Sequence, residues 1–124
     1  VKPARAVAVF TVSLRGLALR VRVLPSAKAV DLECRTYEKR SRRSGPITRA
    51  FFAPAKKLCS SAGTLVFSTD GRLTELVPHE VTHAVLHRVG GVARAAEERL
   101  ATDVGLLSAR IFRQLARRGI EVTP

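Results

Sequence analysis

An α+β architecture, with a small N-terminal antiparallel or mixed β-sheet packed on two C-terminal helices, follows from three features of this 124-residue sequence. Short apolar and β-branched runs separated by turn residues fill the first half. Apolar residues at helical spacing fill the second, in two segments parted by Gly90-Gly91. Hydrophobic residues make up 46% of the chain, which supports one folded core and argues against disorder. The expected organisation is a single domain over residues 1–124, mainly sheet over 1–73 and a two-helix portion over 74–118.

The first strand is expected over Ala6–Val12, closed by a turn at Ser13-Leu14-Arg15-Gly16. Leu17, Leu19, Val21 and Val23 then alternate with Ala18, Arg20 and Arg22, the period of a half-buried strand. Pro25-Ser26 ends it, and Val30–Tyr37 reads as a third strand. The polar, basic stretch 38–49 reads as an exposed loop, with Phe51-Phe52 and Leu58 anchoring a short segment on the core. Gly63–Ser68 is a further strand, closed by Thr69-Asp70-Gly71. A helix follows, carrying Leu73, Leu76 and Val77 and then Val81, Ala84, Val85, Leu86 and Val89. Proline is tolerated only in a first turn, so regular helix is expected from about Pro78, stopping at Gly90-Gly91. A second helix runs from about Ala93 to Arg118, with Leu100, Val104, Leu107, Ile111 and Leu115 as its stripe and Gly119 as its stop.

The chemistry-bearing segment is His79-Glu80-Val81-Thr82-His83 on the first of these helices. Residues four apart share a helix face, so two imidazoles can ligate one zinc ion while Glu80 stands beside them as a proton acceptor. The alternative is two polar residues on a half-exposed face; the intervening Glu and the clean helix stop favour the metal. All 3 histidines of the chain lie in this helix. His87 continues the stripe, but at about 1.5 Å per residue it stands roughly 12 Å from His79, too far to share one ion. It is expected at the surface or behind a ligand, near the helix C-terminus. A Gly-then-His continuation is absent, since Leu86 and Val89 occupy those steps. Glu97 and Glu98 open the second helix, where acids complement the dipole and where a carboxylate can also complete a His-His-Glu site. Glu98 shares a small-residue face with Ala101, Gly105 and Ser108 that would let the two helices approach closely, and is the preferred ligand; Glu97, nearer Leu100 and Val104, is the alternative.

His79 to His87, a short break, then Glu98-Arg99-Leu100-Ala101-Thr102 resembles the gluzincin branch of zinc metallopeptidases, in particular the minigluzincins and the ImmA/IrrE-like and phage-encoded metallopeptidase-like proteins. The resemblance covers roughly residues 63–118 and implies a zincin-like fold. It implies His79, His83 and Glu98 as zinc ligands and Glu80 as general base and acid in peptide-bond hydrolysis. Thr102 departs from it, standing where an Asn or Asp often orients a ligand. The strand before the motif resembles the zincin edge strand that pairs with an extended substrate; an ordinary sheet strand is the other reading. No residue is assigned to the oxyanion: Tyr37 is distant in sequence, and His87 is the only spare histidine.

The charge is a second signal. The formal net charge is +12, which attracts polyanions such as nucleic acid or an acidic protein. Lys39, Arg40, Arg42 and Arg43 are the expected contacts, joined by Arg110, Arg113, Arg117 and Arg118; a solvated basic surface is the plain alternative. With 1 Tyr and no Trp, base stacking is disfavoured. No run is long enough to span a membrane. Cys34 and Cys59 are too few for a disulfide framework and fit reduced thiols in a cytoplasmic, phage-encoded or virion-associated protein. Beside the peptidase stand two other readings: a basic nucleic-acid-binding protein, and a catalytically silent metallopeptidase fold in a phage or phage-like particle.

Overall fold

The computed structural model of the chain describes residues 5–38, 48–55, 63–89 and 97–122. Strand β1 (Ala8–Leu14) and β2 (Leu17–Leu24) form an antiparallel hairpin, with inward and outward residues alternating as expected. The two residues between them, Arg15 and Gly16, both have positive φ, 48° and 80°. That is the handedness a two-residue hairpin turn needs to match strand twist. Glycine supplies it freely, and Arg15 takes it as the one non-glycine residue to do so among those described.

The expected third strand at Val30–Tyr37 is instead a helix, α1 (Ala27–Glu38). Ser26 caps it, its Oγ accepting from the Ala29 amide at 3.2 Å. Asp70 Oδ2 accepts from the Ala27 amide at 3.3 Å. Val30, Asp31 and Cys34 are buried at helical steps, while Leu32, which a strand would bury with Val30 and Cys34, is 40% exposed. An Arg35 Nε–Asp31 Oδ2 ion pair at 2.9 Å spans one turn.

Strand β3 (Ala50–Pro54) is built on the Phe51-Phe52 pair, and β4 (Gly63–Ser68) follows it. The sheet is mixed, in the order β1-β2-β4-β3: β4 runs parallel to β2 and antiparallel to β3. Strand β4 is therefore paired on both sides and is an ordinary inner strand; the outer strands among the described residues are β1 and β3. The period of two sorts the strands between two faces. Leu19, Val21, Val23, Leu65 and Phe67 face the C-terminal helices, whereas Leu24 and Val66 pack with Val30 of α1 on the other side.

Helix α2 (Leu73–Val89) starts five residues before Pro78, not at it. Leu73 and Val77 are fully buried one turn apart, and their burial holds a first turn ahead of a proline that local propensity would have placed at the helix start. Helix α3 (Glu97–Arg117) packs Leu107, Ile111 and Leu115 into the core, each contributing about 1.5–3 kcal/mol by burial. It ends as expected: Gly119 has φ +70°, its amide bonds Ala116 O, and the Ile120 amide bonds Leu115 O, closing two of the carbonyls in the last turn. The Gly90-Gly91 stop, the stretch from Ala93, Leu58 and Cys59 lie outside the described residues. No helix among the described residues is long and apolar enough to cross a membrane.

Candidate metal centre

Helix α2 has two unlike sides. Val77, Val81, Ala84 and Val85 fix it to the sheet, which leaves His79 and His83 exposed on the opposite side, one turn apart. Their Nε2 atoms stand 3.2 Å apart, with the rings edge to face. Two nitrogens bound at about 2.05 Å to one tetrahedral zinc lie roughly 3.3 Å apart. That spacing fits two nitrogens on one zinc, and equally a hydrogen bond between the two rings. Among the described residues no third His, Cys, Asp or Glu joins them.

Glu80 lies between the two histidines in sequence and is only 6% exposed. Burial pushes its carboxyl above the usual range, and the neighbouring His79 and His83 act in the opposite direction. No donor among the described residues binds it. It lines a cleft of about 580 Å³ together with His83 and His87 of α2, Phe51, Phe52 and Pro54 of β3, and Cys34 of α1. Cys34 is buried. The cleft thus follows the outer edge of β3, between a helix on either face of the sheet.

His87 is exposed, as expected, and its ring meets Phe52 edgewise with centroids 5.7 Å apart. Thr102 is exposed on α3. The small-residue face of α3 is not the one that packs: Ala101 and Gly105 are exposed, and a Cβ added at Gly105 would meet nothing within 4 Å. Leu100 and Val104 supply the contact with the core, because larger apolar groups bury more surface than a row of small ones. Only Ser108 of the small set is buried. The side chains of Glu97 and Glu98, and all of Lys39, Arg40, Arg42 and Arg43, lie outside the described residues.

The cleft-lining role of β3 escaped the sequence reading, although Phe51-Phe52 marked the segment. Their alternation is the available signal: Phe51 packs on the α1 side and Phe52 on the α2 side. No protein family, curated protein or solved structure matches the chain.

Proposed function

We propose that the chain is a zinc-dependent metallopeptidase of gluzincin type. The observation that carries the reading is the 3.2 Å approach of the two Nε2 atoms, with buried Glu80 lining one cleft together with His83. His79, His83 and Glu98, with Glu97 as the alternative, would hold the ion. Zinc would supply Lewis acidity, making a water nucleophilic near neutral pH and polarising the scissile carbonyl. Glu80 takes the proton from the attacking water and hands it to the leaving amine. Burial raises the proton affinity of its carboxyl, which favours taking the proton. Strand β3 offers its outer edge to an extended peptide, whose main chain would extend the sheet.

Metal content of protein purified without added metal tests the site. About one zinc per chain is expected, lost in His83→Ala. Glu80→Gln should keep the metal and lose cleavage of a peptide library. A metal-free, folded chain that takes up no added zinc would end the proposal, as would normal cleavage by Glu80→Gln.

A further inference from the structure

Helix α3 carries a row of arginines that the metal centre does not use. Arg99, Arg110, Arg113 and Arg117 are all exposed, and at 3.6 residues per turn they fall within about 60° of one another. The row rises about 27 Å along the helix. No carboxylate among the described residues pairs with these four; Asp103, on the same helix, is taken by Arg15 at 3.2 Å. Arg110 donates to the carbonyl of Ser13, tying the row to the end of β1. Arg118 is turned elsewhere, with its guanidinium 4.7 Å over the Phe10 ring and donating to Gln114.

We propose that this face of α3 docks on the phosphate backbone of a duplex nucleic acid, with Arg99, Arg113 and Arg117 on phosphates. Charge complementarity selects a polyanion, and the rest of the face selects among polyanions. A bilayer-surface helix needs a broad apolar side to bury, and here Leu106, 41% exposed, is the one large apolar side chain that α3 leaves open. A protein partner is held by several aromatic and aliphatic anchors at the centre of its interface, whereas this face offers Leu106 alone and Phe112 packs against the core. A duplex needs neither. It presents charge at regular intervals along a line, and guanidinium forks bind phosphate in pairs of hydrogen bonds. Exposed Ala109 and Ala116 flank the row on one side and let the helix lie close to a backbone there, while Thr102 and Leu106 stand beside and within it. Contacts of this kind position a duplex and do not read its sequence. The inference does not depend on zinc.

Fluorescence anisotropy of a labelled duplex of about 20 base pairs, over salt from about 50 to about 200 mM, tests it. The variant is Arg99→Gln/Arg113→Gln/Arg117→Gln, with Arg110 kept because it holds Ser13. The control, Arg20→Gln/Lys28→Gln/Arg72→Gln, removes the same charge from exposed positions off the row. Each phosphate contact adds about 0.9 to the slope of log K against log salt, so the α3 variant should lose about 2–3 of slope and the control less than about 1. The pair Arg113→Gln/Arg117→Gln, which leaves the first turns of α3 untouched, should lose about 2. Equal losses in variant and control would overturn the proposal, because net charge alone would then explain binding. So would no binding at low salt, or tighter binding to phosphatidylserine vesicles or to polyglutamate than to the duplex.

Discussion

Replacing Gly63 with alanine sets one methyl group against two neighbours on β3. A Cβ at this position lies 2.6 Å from the carbonyl oxygen of Ala53 and 2.6 Å from Cε1 of Phe52. Carbon and carbonyl oxygen approach comfortably to roughly 3.3 Å, so about 0.7 Å must be found. The Phe52 ring can swing, but the oxygen belongs to the backbone and moves only with the strand. Overpacking of this kind costs about 1–3 kcal/mol. For a chain of this length that is a fall in Tm of roughly 3–15 °C. Thermal unfolding followed by circular dichroism, with urea titration beside it, measures the stability. Adding Phe52→Ala should relieve the ring contact and leave the backbone contact, separating the two by a double-mutant cycle. A Gly63→Ala protein melting within about 1 °C of the parent would refute the packing of β3 on β4 from which the argument starts.

Three further outcomes follow. Glu80 binds its proton more tightly folded than unfolded, so its contribution to stability falls as pH rises from the ordinary 4.5 through the raised folded value. In chelator, Glu80→Gln should therefore melt above the parent at neutral pH and lose that advantage below about pH 4.5; a variant less stable at pH 7 would contradict it. Asp70 behaves in the opposite sense. The Ser68 hydroxyl, at 2.6 Å, and the Ala27 amide hold its carboxyl below the ordinary 3.8, so its contribution is present above that pH and lost as pH falls through the folded value. The urea midpoint of Asp70→Asn should drop less between neutral and strongly acid pH than that of the parent, and an equal drop would remove Asp70 from the account. For the third ligand, Glu98→Gln should weaken zinc binding by more than the roughly 100-fold that loss of an outer partner can cost, with Glu97→Gln near the parent. Isothermal titration decides, the converse pattern moving the ligand to Glu97 and no effect in either moving it off this helix start.

What was legible in the sequence is what local physics decides. The β1–β2 hairpin follows from period-two alternation and a Gly16 turn, and the end of α3 from Gly119. The spacing of His79 and His83 put both on one helix side without reference to the rest of the chain. Helix α1 was missed because its buried residues, Val30 and Cys34, also suit a strand, and the deciding groups are Ser26, Asp70 and Arg35 around it. Pro78 misled for a related reason: burial of Leu73 and Val77 against the sheet is tertiary and outweighs the local rule. Strand order is not local at all. That β3, and not β4, forms the edge beside the candidate metal centre depends on β4 pairing with β2 across more than forty residues of chain.

The opposite edge of the sheet has a consequence of its own. Strand β1 carries no charged side chain, and on its outward side Val7, Val9, Thr11 and Ser13 are exposed. Edge strands are usually kept from recruiting a neighbouring copy by charge or by a bulge of their own. Here Arg110 closes one carbonyl at the Ser13 end, and the rest of the protection is collective, a +12 chain repelling its like at a distance. Repulsion of that sort reaches about 30 Å in 0.01 M salt and about 10 Å in 0.1 M, so the edge is guarded in dilute buffer and progressively uncovered as ions are added. Light scattering recorded through the same salt series would separate a chain that has released a duplex from one that has found another copy of itself.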